Sequence, residues 1–389
     1  MFRLTDRTWR RRLVILLVIA GCIPLAHGQT FTFSPVVLQG QPAPGTGGGF
    51  SLFSPSIHLN DSGAVIFWAK ISGGNTGFGI FLFSRGEILP IALEGQIAPG
   101  TGGGRFTYFP GWILNNAGDV LFRAGISDGR GRVFLFSKGE ISVLDFPDRP
   151  IPGTDVQPFF EGIGSMNDAG DIAYVASGRI LVYSKGTITL IASPPSDGPY
   201  LLLSRPSLNN RGEIAFINSF DTRFPEGVVD IGISLFSNGK TFSIASPGRS
   251  YLDAKINDSG AIAFVQCIQG ACSIHLYKDG VTSTIAPPLL ITRFAPELNN
   301  SGVVVYIEGS FFNGDMTSGG IRIFDGTKLV GINGGEAPGT GGGKFSGFDR
   351  PVLNNFGTLA FGASVTGGTA SSGIFLANST GLQRPRRRP

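Results

Sequence analysis

Histidine is nearly absent from this 389-residue chain: His27, His58 and His275 are all it has. A histidine metal cluster is thereby excluded, and a Ser/His/Asp triad has little to draw on. Charge is scarce as well, with Asp, Glu, Lys and Arg together at 15%, so the surface must be largely Gly, Ser, Thr and Asn. No long helical period occurs beyond the first residues, and no apolar run is long enough to span a membrane as a helix. What the chain has instead is 59 Gly and 32 Phe.

A five-residue phrase organises these residues. An apolar residue, Asn, Asp or Asn, any residue and Gly recur at Leu59, Leu114, Met166, Leu208, Ile256, Leu298 and Leu353, at steps of 55, 52, 42, 48, 42 and 55 residues. Such a period belongs to repeat architectures with one supersecondary unit per copy. Asn-x-x-Gly supplies the side-chain hydrogen bonding and positive-φ tolerance of a tight hairpin turn, so each copy reads as a turn. A β-branched and aromatic run follows, such as AVIFWA from Ala64, then a second such as GIFLFS from Gly79. A turn such as Arg85-Gly86 or Lys138-Gly139 and a third run such as EILPIA from Glu87 come next. With the strand before the phrase, each unit has four strands.

Seven such units predict an all-β, seven-bladed β-propeller of four-stranded antiparallel blades, with repeat turns near residues 60, 115, 167, 209, 257, 299 and 354. The last unit stops after its third strand at GIFLANSTG, while TFSPVVLQGQPAPG from Thr32 aligns with the fourth strand and following loop of the first unit. The N-terminal strand, about Phe31 to Leu38, is therefore expected to complete the last blade. An open β-solenoid is the alternative, and it leaves the complementary ends unexplained. The Phe residues of the strands, Phe67, Phe81, Phe122, Phe134 and Phe361 among them, read as core between blades.

Residues 1–28 read as an export signal: Arg3, Arg7 and Arg10 to Arg12, then the apolar Leu13 to Ala20, then Ala26-His27-Gly28 before Gln29. Ile19-Ala20-Gly21-Cys22 also resembles a lipoprotein box, and a lipidated Cys22 would anchor the protein to a membrane. Secretion to an extracellular or periplasmic location is the favoured expectation. The leader holds five Arg and Asp6 and the tail, residues 384–389, four Arg, so the body of residues 29–383 keeps 22 basic and 26 acidic side chains. Basicity thus belongs to the ends, and nucleic acid binding is not expected. The tail reads as a disordered end. Cys267 and Cys272 flank a predicted hairpin turn, where antiparallel neighbours meet disulfide geometry.

Candidate chemistry is thin. APGTGGG occurs from Ala43, Ala98 and Ala337, with IPGTD from Ile151, but a P-loop needs GxxxxGK followed by Ser or Thr. These loops read as inter-blade linkers, an anion nest of backbone N–H groups being the alternative. Asp61, Asp168 and Asp258 are accounted for by the turn, while Asp119, Asp171 and Glu213 sit at strand starts just after it. No spacing rule singles out a carboxylate pair. In an up-and-down blade the inter-blade loops share a face with the second-to-third-strand loops, whose long insertions run from Ser219 to Asp230, Glu308 to Gly320 and Val365 to Ser372. Varied loops on a repeated scaffold carry binding. The candidate face is Phe220, Arg223, Phe224, Glu226, Phe311, Phe312 and Asp315, with Trp112 as a contact platform or a buried ring.

The unit (L/I)N(D/N)xGxVAF followed by GIFLFSxGxIxxIA resembles secreted bacterial β-propeller repeat proteins related to the extracellular HAF-repeat group, with Gly-Ile-Phe at Gly79 and Gly373 where that group has His-Ala-Phe. The resemblance implies a propeller and export, and brings no activity or catalytic residues with it. The expectation is a monomeric secreted or surface-associated binding scaffold for a protein or glycan, without cofactor or metal. The alternative is an extracellular polysaccharide hydrolase or lyase using a carboxylate pair.

Overall fold

A computed structural model describes residues 31–155, 160–193, 201–203, 206–221, 229–268, 271–289, 296–312, 315–326 and 329–379. The export signal, Cys22 and the basic tail lie outside the described residues. Apart from one 3-10 turn, Phe146–Asp148, every regular element among them is a strand. The strands make seven blades around one axis, each counted outward from the channel. Blade 1 is Gly49–Leu59, Val65–Ser72, Phe78–Ser84 and Glu87–Leu93, blades 2 and 3 repeat the order from Phe106–Leu114 and Phe160–Met166, and blades 4, 5 and 6 have Ile214–Asp221, Ile262–Ile268 and Val304–Phe312 as their second strands. Blade 7 runs Lys344–Phe348 with Val352–Leu353, then Thr358–Thr366, Ser372–Ser379, and finally Phe31–Leu38. That last strand pairs antiparallel with Ser372–Ser379, from Phe31↔Ser379 to Leu38↔Gly373. The ring is closed by the N-terminal strand, which excludes the open solenoid.

The turns form for local reasons. In the hairpins between the third and outer strands, Arg85, Lys138, Lys185, Asn238 and Asp279 have φ of 47 to 53°, and the Gly that follows each is also positive. Two successive positive φ values are the type I′ geometry that suits the right-handed strand twist.

Packing follows from period two. In the second strand of blade 1, Val65 and Phe67 face blade 7 while Ile66 faces blade 2, so both faces are buried and the run is apolar throughout. Seven apolar clusters result, one for each blade interface among the described residues. The Phe stripe lies in them: Phe67, Phe81, Phe122, Phe134, Phe361 and Phe375 are fully buried. In blades 1, 2 and 7 the Phe after each APGTGGG loop packs edge-on against the third-strand Phe, with ring centroids 4.9 to 5.1 Å apart in Phe50–Phe81, Phe106–Phe134 and Phe345–Phe375. Burying one such ring stabilises the fold by roughly 1.5–3 kcal/mol.

Two features differ from the repeat expected. Blades 4 and 5 share one continuous strand, Lys240–Ile256, outer in one blade and inner in the next. Much of the second-to-third-strand insertions in blades 4 and 6 is strand rather than loop. Phe220 pairs with Asp230, Phe311 with Met316 and Phe312 with Asp315, because antiparallel backbones that already pair continue to do so until a turn residue stops them. Cys267 and Cys272 face each other in the blade 5 hairpin and form a disulfide with Cα atoms 4.0 Å apart.

Candidate ligand site in the axial channel

The repeated phrase builds one end of the channel. In every copy the first Asn uses its side-chain oxygen to accept the N–H of the residue four further on, as Asn60 does from Ala64 at 3.0 Å and Asn354 from Thr358 at 2.9 Å. That bond makes the turn. The same Asn also donates its Nδ2 to the main-chain carbonyl of the equivalent Asn in the next blade: Asn60 to Asn115, then Asn167, Asn209, Asn257, Asn299, Asn354 and back to Asn60, at 2.9–3.5 Å. A second circle runs outside it. The N–H of each following residue donates to the side-chain oxygen of its counterpart one blade on, through Asp61, Asn116, Asp168, Asn210, Asp258, Asn300, Asn355 and back to Asp61, at 2.8–2.9 Å.

Asp61, Asp168 and Asp258 therefore act between blades and not merely within their own turns. Each has Asn on both sides, and Asn210 donates to Asp168 at 2.9 Å and to Asp258 at 3.1 Å. Asp119, Asp171 and Glu213 accept from the ring Asn of their own turns at 3.3, 3.0 and 2.7 Å. All six carboxylates are structural partners. Among the described residues no group of three or more His, Cys, Asp or Glu is arranged to hold a metal ion.

The APGTGGG loops also satisfy themselves. Thr46, Thr101 and Thr340 donate their hydroxyls to the Ala three residues back at 2.6–2.7 Å, and the same oxygens accept the N–H of Gly48 and Gly343 at 3.1 Å in two of them. A Cβ on Gly48 would sit 2.5 Å from the Ser72 carbonyl, so Gly permits the linker to lie against the next hairpin. These loops serve as linkers between blades.

A cavity of about 520 Å³ lies in the channel above the Asn ring. Asn and Asp residues of the phrase, with its seven apolar residues, line a separate, smaller depression of about 190 Å³ at the ring, and the two share no lining residue. Because the inner strands run toward the ring, the residues just before the phrase wall the larger cavity. These include His58, Trp112, Ser207, Lys255, Glu297 and Arg350, with Asp253, Glu161 and Arg123 also in the wall.

Its electrostatics are specific. Arg350 Nη2 pairs with Glu297 Oε1 at 2.6 Å. Burial alone would raise the Glu297 carboxyl, but the Lys255 and Arg350 charges outweigh it and hold the group below the usual carboxylate range. His58 is pushed down to about 4, chiefly by burial and then by the Lys255 charge, although its ring donates to the Trp112 carbonyl. It is neutral at neutral pH. The Trp112 Nε1 and Arg350 Nε protons are buried without an acceptor.

Of the residues expected from sequence, only Trp112 reaches this site, 9% exposed and in its wall. Arg223, Phe224 and Glu226 lie outside the described residues. The backbones of Phe220, Phe311, Phe312 and Asp315 lie in the second-to-third-strand hairpins of blades 4 and 6. Sequence reasoning did not single out His58, Lys255, Glu297 or Arg350 as site residues. A signal was present: the residue two before the ring Asn is His58, Ser165, Ser207, Lys255 or Glu297 in five blades, polar where an inner strand faces an axis.

The model of a family of unknown function, DUF7453, matches residues 25–134 and 283–384, more than half of the chain. The chain belongs to the DUF7453 family. The two DUF7453 stretches lie at opposite ends of the sequence, yet closure makes them one arc of neighbouring blades, 6, 7, 1 and 2. His58, Trp112, Glu297 and Arg350 lie within it. No curated protein matches the sequence. Among solved structures, the β-propeller domain of the Trilobed protease from Pyrococcus furiosus is similar with TM-score 0.53 at 10% identity, over 86% of this chain and 100% of that one. Its title describes an open velcro topology, whereas blade 7 here is closed by the N-terminal strand. A Mycobacterium tuberculosis puromycin-hydrolyzing peptidase has TM-score 0.50 at 12% identity, over 90% of this chain and 57% of that one. A puromycin hydrolase has TM-score 0.51 at 12% identity, over 92% of this chain and 58% of that one. These likenesses establish the propeller fold and nothing about activity.

Proposed function

We propose that this protein is an exported binding propeller, secreted or held at a cell surface, whose ligand enters the axial cavity. The carrying observation is the cavity itself: about 520 Å³, the size of a small-molecule site, with buried Trp112 and Arg350 protons lacking acceptors. Phe220, Phe311, Phe312 and Asp315 belong in this reading to the face around its mouth. The disulfide Cys267–Cys272 and the leader support an oxidising location, and lipidation of Cys22 would tether the same domain. The protein works as a monomer, because its ring is complete within one chain.

The hydrolase or lyase reading is weaker for a chemical reason. Glu161, Asp253 and Glu297 line the cavity, but a glycosidase acid must be held protonated by a raised pKa. Glu297 is shifted the other way and is committed to Arg350. Thermal unfolding of residues 29–383 against a panel of glycans and small organic acids tests the proposal, since a ligand of the folded state alone raises its stability. Gly162 lines the cavity, and a Cβ there meets no atom within 4 Å, so Gly162→Trp fills the channel without displacing the wall. A stabilising ligand whose effect disappears in Gly162→Trp is the expected result. A ligand indifferent to that substitution would move the site off the axis.

A further inference from the structure

The charges of the cavity wall do not cancel in the way their number suggests. Arg123, Lys255 and Arg350 face Glu161, Asp253 and Glu297, yet most of these groups already have partners. Glu297 holds Arg350 at 2.6 Å. Glu161 accepts the Gly178 N–H at 2.6 Å, Asp253 accepts the Ala254 N–H at 2.9 Å, and Arg123 lies over the Phe160 ring at 5.2 Å. Lys255 has no hydrogen bond or ion pair among the described residues. Two cations share one carboxylate, since the Lys255 charge acts on Glu297 as Arg350 does, and the Trp112 Nε1–H and Arg350 Nε–H are buried without an acceptor. Lys255, Trp112 and Arg350 come from blades 5, 2 and 7, so they converge on the axis from different sides.

Buried donors are costly to leave unpaired, so each of these protons calls for an acceptor, which a bound water or a ligand can supply. From the convergence of Lys255, Trp112 and Arg350 on one cavity, we infer that the channel binds the carboxylate group of a small organic acid, with Lys255 as its counter-ion. A carboxylate brings one charge and two oxygens with about four acceptor positions, which matches the one positive charge left over where Lys255 and Arg350 share Glu297. Phosphate monoesters, at about −1.5 to −2, fit less well, because the wall also holds Glu297 and Asp253. This assignment rests on the channel being the ligand site, and it deepens that reading by naming the group the site recognises.

Trp68 and Trp112 are the two tryptophans outside the leader, so a Trp68→Phe protein carries Trp112 as its single reporter. Its fluorescence is titrated with D-galacturonate against D-galactose and with succinate against 1,4-butanediol, each pair differing in the acid group. The acid of at least one pair is expected to bind about tenfold or more tightly than its neutral partner, as a charge-assisted hydrogen bond in a desolvated site allows. Lys255→Met reduces that preference by about tenfold or more, Lys255→Arg retains most of it, and Gly162→Trp, read by calorimetry because it adds a second tryptophan, abolishes binding. Equal binding of acid and neutral members, still lost in Gly162→Trp, overturns the carboxylate assignment and leaves the channel reading standing. Tighter binding of inorganic phosphate than of either acid also overturns it. Binding unaffected by Gly162→Trp, or no response to any probe, removes the channel reading and this inference together.

Discussion

The inner Asn circle should be the costliest polar feature of the fold to interrupt, and Asn257→Ala measures it. Asn257 is 4% exposed. Its Oδ1 accepts from Ser259 N at 3.0 Å, Ser259 Oγ at 2.7 Å and Ala261 N at 3.0 Å, and its Nδ2 donates to the Asn299 carbonyl at 2.9 Å. After truncation Ser259 can turn to water. The Ala261 N–H cannot, because Ala261 is 3% exposed, whereas the carbonyl of Asn299, also 3% exposed, keeps the Gly302 N–H at 3.0 Å. One orphaned buried donor at about 1–3 kcal/mol and one lost inter-blade bond at about 1 kcal/mol give an expected loss of about 3 kcal/mol. Asn300→Ala in the outer circle is the control. It loses the Nδ2 bond to Asp258 at 2.7 Å and the bond its Oδ1 accepts from Asp258 N at 2.9 Å, but Asn300 is exposed, so water replaces both and the loss is about 1 kcal/mol. Urea midpoints of the two variants and the parent provide the measurement, since a domain this large shifts its Tm by only about 1–2 °C per kcal/mol. If Asn257→Ala costs no more than Asn300→Ala, the circle is geometry without energetic consequence and the reasoning fails.

Acid should destabilise the protein through His58. Its folded-state value of about 4 lies below the usual 6.5, so between these values the unfolded chain binds a proton that the folded chain refuses, and stability falls as pH drops through that window. The integrated loss is about 3 kcal/mol, and denaturant unfolding of His58→Asn at pH 7, 6 and 5 should show a flatter slope. Asn210→Asp would set three carboxylates side by side, because Asn210 donates to both Asp168 and Asp258; a loss of about 1–2 kcal/mol is expected at low salt. The penalty should shrink with added salt and as pH falls through the raised carboxyl values, and a penalty insensitive to both would exclude charge as its cause. Replacing Cys267 and Cys272 by Ser should cost about 2 kcal/mol in denaturant unfolding, the chain-entropy value for so short a loop, with the circular dichroism spectrum unchanged.

The architecture was legible because its signals are local and repeated. The phrase marks a turn in every blade, the run after it is buried on both faces, and the chain ends complement each other across Phe31–Leu38 and Ser372–Ser379. The inter-blade hydrogen bonds were not legible, since an Asn that makes a turn and an Asn that also joins the next blade have the same sequence. The shared strand Lys240–Ile256 was hidden by Pro247-Gly248, which reads as a break. Pairing passes around that step from Ala245 to Arg249, with a register shift on the partner strand. The site was obscured for a different reason. His58, Lys255 and Glu297 look like ordinary polar strand residues, and only ring closure brings blades 1, 5 and 6 to a common axis.

The outer circle carries an arithmetic consequence. Two kinds of member can alternate without interruption only in an even cycle, and this cycle has seven, so one like pair is unavoidable. It falls at Asn300 and Asn355, where two neutral amides meet, instead of at two acids. Loss of blade 7, or insertion of an Asp-bearing blade between blades 6 and 7, would restore strict alternation. At every other junction, adding or removing a single blade would set acid beside acid or amide beside amide. The junction between blades 6 and 7 is therefore where the electrostatics of the ring least oppose a change in blade number.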